Sequence, residues 1–343
     1  MKLRIIIVLS LLFVAMYSCI YADFDPIKEK VKEPFIISTD VDIDDWLAIL
    51  YMAQHPGVDL KAITVCGDGV TYCGPGVRNV QGLLALGWPW DVPVSCGVRK
   101  PLKWNHAFPT AWRTLYSNLM GLTLPTNPFK ASTLSGVDLM IKTIMKSPRK
   151  MNILAIGPLT DLAVAMAKEP AIIKKIKMVY IMGGAVDVAG NVNIPCQSPI
   201  NNNCAEFNIY TDPVAAERVF RSGAAITLVP LDACDDVPMD MEFYKKLVKA
   251  HFTPQANFIF QALTKDIDFV ASGEYYFWDP LAAVIAMDFA VVTKFEMLDI
   301  RVLVGDGPRS GCMKKKGPGK IRVCLGADKE KTWKTFLEVV NCR

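Results

Sequence analysis

FIISTDVDIDDWLAILYMAQ, residues 35–54, runs from a short apolar segment through a polar turn into a segment with helical periodicity. Phe35-Ile36-Ile37 is typical of a strand buried on both faces, and apolar residues recur at helical spacing from Trp46 to Gln54. The same alternation continues along the chain, with strand-like runs at 60–65, 92–94, 151–156, 178–182 and 226–231. This pattern predicts an α/β fold with a central, mostly parallel, Rossmann-like β-sheet flanked by helices.

Helical segments follow several of these runs. Val77 to Leu86 has helical periodicity, and Thr160 stands where the cap of a second helix, ending near Lys168, would lie. Asp212-Pro213 opens a third helix, with proline in its first turn. Because no internal repeat or low-complexity linker interrupts the pattern, we expect residues 23–343 to form a single domain.

Composition excludes several classes of protein. The chain has 343 residues, of which 52% are hydrophobic and 21% charged, so it is not a disordered chain. Its net charge of +4, from 38 basic and 34 acidic residues, is too small to indicate a nucleic acid or an anionic membrane as partner. The densest basic run, Lys314-Lys315-Lys316, is expected at a solvated hairpin tip.

The N-terminus has the pattern of a secretory signal peptide. Met1-Lys2-Leu3-Arg4 is basic, an apolar run follows from Ile5 to Met16, and small or neutral residues lead to Ala22. We therefore expect residues 1–22 to be a signal peptide and the protein to be secreted, without a membrane span after cleavage. The apolar run is short for a bilayer, although an uncleaved signal anchor is the alternative.

An exported chain permits disulfides. Of the ten cysteines in the chain, Cys19 lies in the signal segment, so nine remain and at least one is unpaired within the chain. Cys196 and Cys204 bracket a short polar loop, and Cys312 and Cys324 bracket a turn rich in lysine and glycine. Those are the favoured pairs, although the sequence does not fix the connectivity.

Carboxylates are concentrated directly after the first strand. Asp40, Asp42, Asp44 and Asp45 place four aspartates within six residues, which repel one another unless a cation or hydrogen-bond donors offset their charge. Carboxylate oxygens suit Ca²⁺ or Mg²⁺. The alternative is that these residues cap the following helix, but capping accounts for one or two of the four.

Four motifs together resemble the nucleoside hydrolase family. The segment 38–45 is similar to the family's Asp-x-Asp-x-x-x-Asp-Asp motif, and the other three motifs follow in the family's order at 182–192, 205–213 and 275–283. In the last motif Trp278 precedes Asp279, where the inosine-uridine branch usually has histidine. This feature is similar to the purine-specific, inosine-adenosine-guanosine branch.

The resemblance implies a calcium-dependent hydrolase of purine nucleosides that releases free base and ribose. It implies that Ca²⁺ is bound by Asp40, Asp45, Asp279 and the backbone carbonyl of Ile156. Asp40 would accept a proton from the calcium-bound water, so Asp40 and Asp279 are the expected catalytic residues.

The resemblance also implies how the substrate is held. Asp44 and Asn191 would bind hydroxyls of the ribose, and Glu206 and Asn208 would bind the others, including the 5′-hydroxyl. Trp278 and Trp112 would stack on the purine, and Asp68 would contact it directly or through water. Family members are dimers or tetramers, so a homo-oligomer is implied.

Two positions depart from the family's pattern. Ser38 stands where the first motif aspartate is expected, and Asp42 adds a carboxylate where purine-specific members have asparagine. Two further interpretations therefore remain open: a broad-specificity inosine-uridine nucleosidase, and a catalytically impaired protein that binds nucleosides without cleaving them.

Overall fold

The computed structural model describes residues 31–87, 90–193 and 200–342. Residues from Glu33 onward form one compact unit. The predicted signal peptide at 1–22 and Cys196 lie outside the described residues. Within the described ranges, no helix is both long and apolar enough to cross a membrane.

A mixed sheet of nine strands forms the centre of the part of the chain that the structure describes, in the order β3-β2-β1-β4-β5-β6-β9-β7-β8. In this order, neighbouring strands from β3 at one edge as far as β9 are parallel. Strand β7 is antiparallel to both of its neighbours, β9 and β8. The prediction of an α/β fold with a mostly parallel sheet is therefore confirmed. The strands are β1 Glu33–Thr39, β2 Val58–Val65, β3 Val94–Cys96, β4 Met151–Ile156, β5 Ile176–Met182, β6 Ile226–Val229, β7 Val292–Val302, β8 Met313–Pro318 and β9 Ile321–Ala327.

Helices cover both faces of this sheet. They are α1 Ile43–Gln54, α2 Cys73–Leu84, α3 Thr110–Ser117, α4 Gly136–Lys146, α5 Thr160–Lys168, α6 Ile172–Lys175, α7 Phe207–Thr211, α8 Pro213–Arg221, α9 Leu231–Cys234, α10 Met241–Val248, α11 Pro254–Lys265, α12 Ile267–Ser272, α13 Trp278–Met287 and α14 Lys329–Val340. Two short 3₁₀ helices lie at Leu119–Gly121 and Phe289–Val291.

The buried residues divide into a large cluster on each face of the sheet. Successive residues of β1 show this division, because Ile36 packs in one cluster and Ile37 in the other. Helix α1 is buried along nearly its whole length, and its Trp46 donates from Nε1 to the Val41 carbonyl at 2.8 Å. This buried helix fixes the turn that carries the four aspartates.

Thr160 differs from the sequence prediction. It is the first residue of α5 rather than its cap, and Leu159 occupies the cap position without a side-chain hydrogen bond. The hydroxyl of Thr160 contacts the carboxylates of Asp68 and Asp212 instead. Asp212-Pro213 opens α8 as predicted, and Asp212 caps this helix by accepting from the Ala215 amide.

The two favoured disulfide pairs are wrong. The structure joins Cys73 to Cys96 and Cys204 to Cys312, and Cys324 is an unpaired buried thiol. The β7 register explains why Cys312 cannot reach Cys324. Met313 lies opposite Val302 and Cys324 opposite Phe295, seven residues or about 23 Å apart along β7, whereas disulfide-bonded Cα atoms lie about 4.4–6.8 Å apart.

The basic run also differs from its prediction. Lys314, Lys315 and Lys316 lie within β8, the outermost strand of the sheet, rather than at a hairpin tip. All three are exposed, and Lys315 forms an ion pair with Asp187 at 2.6 Å. The expectation that they are solvated holds, although in strand rather than turn conformation.

Candidate active site

The loop between β1 and α1 places carboxylates at the carboxyl end of the parallel strands, where ligands bind in open α/β sheets. Asp40, Asp44 and Asp45 are buried, with exposed fractions of 4%, 6% and 1%. Val41 sits between them with φ of 72°, a left-handed conformation that is strained for a β-branched residue. The surrounding contacts therefore hold this turn against its local preference.

Capping accounts for two of the four aspartates. Asp42 accepts from the Asp44 amide at 3.2 Å, and Asp45 accepts from the Asp42 amide at 3.0 Å, which together form a capping box. The other oxygen of Asp45 accepts from the Thr39 hydroxyl and, at 3.2 Å, from the Asp40 amide. Asp44 lies in the first turn of the helix, but the capping box involves the side chains of Asp42 and Asp45 alone, so capping does not explain the whole cluster.

Asp40 is fixed by the loop that follows β2. Its Oδ2 accepts from the Val70 amide at 2.8 Å, and its carbonyl accepts from the Thr71 hydroxyl at 2.7 Å. Gly69 packs against it so closely that a Cβ there would lie 2.2 Å from the Asp40 Cβ. Gly157, directly after β4, is also in close contact with Asp40.

Asp279 brings a further carboxylate to the cluster from the first turn of α13, where it is 3% exposed. Burial, followed by the charge of Asp44, raises its pKa well above the usual range for aspartate. Burial and the charge of Asp45 raise the pKa of Asp40 in the same direction. Burial, with Asp44 second, raises the pKa of Asp45 to about 7.

This arrangement fits a hard divalent cation. The pKa values rise because the carboxylates are buried together, and a cation among them would offset both burial and repulsion. Within the described ranges, the carboxylates of Asp42, Asp44 and Asp45 each offer an oxygen within 4.8 Å of the others. That group shares only Asp45 with the set implied by the resemblance, because it contains Asp42 and Asp44 and does not contain Asp40 or Asp279. Ile156 ends β4 directly opposite Thr39, one strand from the acidic loop.

Glu206 and Asn208 lie together at the start of α7. The Glu206 carboxylate accepts from the amides of Asn208 at 2.7 Å, Gly184 at 2.8 Å and Ile209 at 3.1 Å. Burial nevertheless raises its pKa to about 7. Asn208 contacts the Met182 carbonyl at 3.4 Å, and Asn191 accepts from the Phe207 amide at 3.1 Å. These contacts gather the second and third motifs at the end of β5.

Asp68 lies after β2 and is 2% exposed. Its Oδ2 is 2.5 Å from the Thr160 hydroxyl, which is 2.8 Å from Oδ2 of Asp212. Among the described residues, its Oδ1 has no hydrogen-bond partner. Burial raises the pKa of Asp68 to about 6, because the loss of hydration outweighs the bond from Thr160.

The two tryptophans are half-buried and lie on different helices. Trp112, on α3, packs against Phe207 with 5.5 Å between ring centroids, which links it to the segment that carries Glu206. Trp278, at the start of α13, packs against Tyr275 at 5.4 Å, one residue from Asp279. Each tryptophan is therefore held beside residues of the predicted site.

Sequence reasoning missed three polar side chains near the site. Arg113 donates to the carbonyls of Gly67 at 2.8 Å and Thr71 at 3.1 Å, and so fixes the loop that packs on Asp40. Burial, followed by a carboxylate of the acidic loop, raises the pKa of the Tyr116 and Tyr275 hydroxyls. Tyr116 lies one helical turn after Trp112, so helical spacing could have identified it.

His106 contacts two other segments of the chain. Its Nδ1 lies 2.6 Å from the Tyr210 carbonyl and its Nε2 3.2 Å from the Asp306 carboxylate, and its ring stacks on that of Tyr210. The side chain thereby connects the loop before α3, helix α7 and the turn before β8.

Comparisons with known proteins agree on a family of nucleoside hydrolases. A family model described as inosine-uridine preferring nucleoside hydrolase matches residues 35–334. The pyrimidine-specific ribonucleoside hydrolase RihA of Citrobacter koseri is 37% identical over 199 residues, covering 58% of this chain and 60% of that protein. Uridine nucleosidase 1 of Arabidopsis thaliana is 36% identical over 201 residues, covering 58% and 56%. The aligned region thus spans about 60% of the length of these curated relatives.

A solved structure named for purines is similar over more of the chain. The purine-preferring ribonucleoside hydrolase from Gardnerella vaginalis superposes with a TM-score of 0.74 at 27% identity, covering 90% of this chain and 98% of that one. The relatives similar in sequence are thus named for pyrimidines or uridine, and this structure for purines.

Proposed function

The chain belongs to the inosine-uridine preferring nucleoside hydrolase family, and from this premise we propose that it is a secreted, Ca²⁺-dependent hydrolase of ribonucleosides, with purine nucleosides preferred. The observation that carries the proposal is the set of buried carboxylates around Asp40. Asp40 is held in place by hydrogen bonds from Val70 and Thr71. The charge of Asp45 raises the pKa of Asp40, and the charges of Asp45 and Asp40 contribute to the raised pKa of Asp279.

Asp40, Asp45, Asp279 and the carbonyl of Ile156 would hold the calcium ion. When bound, the ion would neutralise these carboxylates and polarise a water molecule and ribose hydroxyls as a Lewis acid. The donor set contains only oxygen, as calcium prefers. Asp42 is near enough to Asp45 to add negative charge on one side of this site.

The chain's own residues then supply the chemistry. Asp40 accepts the proton of the water that attacks C1′ of the ribose, which is the role of a general base. Asp44, Asn191, Glu206 and Asn208 bind the ribose hydroxyls, which orients the sugar. As the N-glycosidic bond breaks, positive charge develops on the ribosyl group, and the surrounding carboxylates stabilise it.

The aromatic residues favour a purine as the leaving base. A purine offers two fused rings for stacking by Trp278 and Trp112, which lie beside the calcium and ribose residues respectively. The likeness to a purine-preferring structure over 90% of the chain supports the same preference. Asp68 would contact the base from the loop after β2.

A second candidate is hydrolysis of pyrimidine nucleosides, alone or beside purines. It is favoured by the names of the sequence relatives, which are specific for pyrimidines or uridine. The impaired binding protein has less support. The hydroxyl of Ser38 lies 3.3 Å from the Cys66 thiol, and that thiol lies 3.4 Å from the Pro158 carbonyl. The Ser38 hydroxyl therefore belongs to a buried polar network.

The proposal includes export through the signal peptide at residues 1–22 and assembly into a homo-oligomer. The two disulfides, Cys73–Cys96 and Cys204–Cys312, are compatible with an oxidising compartment.

The test is release of free base from inosine, adenosine, guanosine and uridine, with and without EDTA, and after readdition of CaCl₂. Release from the purines that stops with EDTA and returns with calcium supports the proposal. Release of base from uridine alone would contradict the purine preference and support the pyrimidine candidate. If calorimetry shows nucleoside binding but no base is released, the binding-protein interpretation replaces both. Asp40→Asn is the matched control, which keeps the side-chain shape and removes the base.

A further inference from the structure

Helix α3, Thr110–Ser117, has little buried surface to hold it against the rest of the protein. Of its eight residues, Ser117 is the one that is fully buried. Trp112, Arg113 and Tyr116 are half-buried, and the other four are exposed. A helix with so few buried apolar contacts depends on specific polar contacts for its position. Several of those contacts go to the loop 67–72, which lies between β2 and α2.

Arg113 bridges the two ends of this loop. Its Nη2 donates to the Gly67 carbonyl at 2.8 Å and to the Thr71 carbonyl at 3.1 Å. Its Cζ also lies 4.5 Å from the centroid of the Tyr72 ring, which is the geometry of a cation–π contact. Hydrogen bonds from a charged donor are stronger than neutral ones, so a single guanidinium group closes the loop 67–72.

The residues between these two carbonyls are the ones that contact Asp40. The Val70 amide donates to Oδ2 of Asp40 at 2.8 Å. Thr71 donates to the Asp40 carbonyl twice, from its amide at 3.1 Å and from its hydroxyl at 2.7 Å. Gly69 packs so closely on Asp40 that no side chain fits between them. The segment that Arg113 closes is therefore the segment that sets the position of Asp40.

Two further contacts join the same loop to α3. The Tyr72 amide donates to the Ser117 hydroxyl at 3.0 Å. The Val70 side chain belongs to a small buried apolar cluster, against which Trp112 packs. Val70 thus contacts Asp40 with its amide and the cluster beside α3 with its side chain. Together with Arg113, these contacts make α3 and the loop 67–72 one unit.

The charge of Arg113 also reaches the carboxyl group of Asp68. Burial is the largest cause of the raised pKa of Asp68, about 6, and the charge of Arg113 acts in the opposite direction. Arg113 could therefore act by its charge on Asp68 or by its hydrogen bonds to the loop. The contacts support the second role, because its Nη2 donates to the backbone carbonyls of Gly67 and Thr71.

We propose that Arg113 is a positioning residue for Asp40, because it holds the loop 67–72 against that carboxylate and joins the loop to α3. The inference rests on the proposed function, in which Asp40 is the general base and a calcium ligand. It adds a side chain outside the four motifs, which acts through the loop and not by contact with substrate or ion. It also makes the helix of Trp112 and the loop that holds Asp40 depend on one another.

Two replacements of Arg113 separate position from charge. Arg113→Met keeps an unbranched side chain and removes the guanidinium, so kcat should fall at least about tenfold, because a misplacement of about 1 Å costs on the order of 100-fold. Arg113→Lys keeps the positive charge near Asp68 but loses the planar group that stacks on Tyr72, so kcat should fall there as well. Arg78→Met, on the exposed side of α2, is the matched control and should keep the kcat of the wild type.

A double-mutant cycle tests whether Arg113 acts through Asp40. In an Asp40→Asn background the general base is already absent, so the position of this side chain matters little for proton transfer. Arg113→Met should then lower the residual kcat by less than about threefold, since two residues that act through one contact are not additive.

Calcium binding gives a measurement that needs no substrate. Calorimetry with CaCl₂ on EDTA-treated protein reports the affinity of the site that includes Asp40. Loss of a residue that orients a metal ligand typically costs about 10–100-fold in metal affinity, so Arg113→Met should raise the Kd for Ca²⁺ at least about tenfold. Arg78→Met should leave this Kd unchanged.

Circular dichroism and Tm establish first that each variant is folded, and Arg113→Lys takes the place of Arg113→Met in the cycle if the latter does not fold. A folded Arg113→Met with the kcat and the Ca²⁺ affinity of the wild type would overturn the proposal. Wild-type kcat in Arg113→Lys would assign the effect to charge, and a loss of kcat that persists in the Asp40→Asn background would place it elsewhere. Either result overturns the proposal.

The failure of the proposed function is distinguishable from these outcomes. If the wild-type protein releases no base from any nucleoside, the proposed function fails. A weaker Ca²⁺ affinity in Arg113→Met, with no change in Arg78→Met, would still support the positioning of Asp40 by Arg113.

Discussion

Gly69→Ala should disable the site without unfolding the protein. Gly69 has an ordinary backbone conformation, so alanine is permitted there by φ and ψ. The new Cβ, however, would lie 2.2 Å from the Cβ of Asp40 and 2.4 Å from its Oδ2. The variant therefore perturbs the position of one catalytic carboxylate through a single methyl group.

The size of the effect follows from this distance. Ordinary contact begins at 3.4 Å, so Asp40 and the loop must separate by about 1.2 Å. The bond from the Val70 amide, 2.8 Å in the wild type, would break or reorient as the loop retreats. A misplacement of about 1 Å costs on the order of 100-fold in rate, or about 2.7 kcal/mol in transition-state stabilisation.

The assay is kcat/KM for the nucleoside that the wild type cleaves best, with Tm measured alongside. We expect kcat/KM to fall about 100-fold and Tm to fall by a few degrees. Gly74→Ala is the matched control, because a Cβ there would meet only Arg78, at 3.8 Å. A Gly69→Ala protein with kcat/KM within about threefold of the wild type would refute the argument that Asp40 must hold its position.

Three further predictions concern stability. Replacing Cys204 and Cys312 together by serine removes a disulfide between residues 108 apart and should lower the free energy of unfolding by about 4.7 kcal/mol, measured by urea denaturation against the wild-type protein. Burial raises the pKa of Asp161 to about 7, so the contribution of Asp161 to stability is present at pH 4 and is lost as the pH rises through 7. Asp161→Asn should flatten this decrease in the free energy of unfolding. An unchanged pH dependence in the variant would contradict the prediction. CaCl₂ should raise Tm of the wild type in differential scanning calorimetry, and Asp279→Asn should abolish most of that rise.

Much of the sheet and the place of the site could be predicted, because both depend on local patterns. The strand at 151–156 was predicted with its observed bounds, and β1, β2, β5 and β6 within a few residues. In parallel strands, polar residues that follow each strand meet at one edge. The acidic loop and Asp68 could therefore be placed together from sequence alone.

The features that escaped prediction depend on contacts between distant segments. The disulfide partners of Cys204 and Cys73 lie 108 and 23 residues away, and their pairing follows from the register of the sheet and the folding of long loops. The prediction that Thr160 caps its helix was wrong for the same reason. Its hydroxyl contacts Asp68 and Asp212, which come from other parts of the chain. The strands β7–β9 lack the alternation with helices that revealed the others.

The lysines of β8 determine how the sheet ends. An outermost strand exposes unpaired backbone amides and carbonyls, to which a strand of another molecule could add. If two copies of β8 paired edge to edge, Lys314, Lys315 and Lys316 of each would face the same three lysines, with Asp187 neutralising one of them in each copy. Repulsion between these charges opposes continuous growth of the sheet into aggregates, and it directs any self-association of the folded protein to another surface.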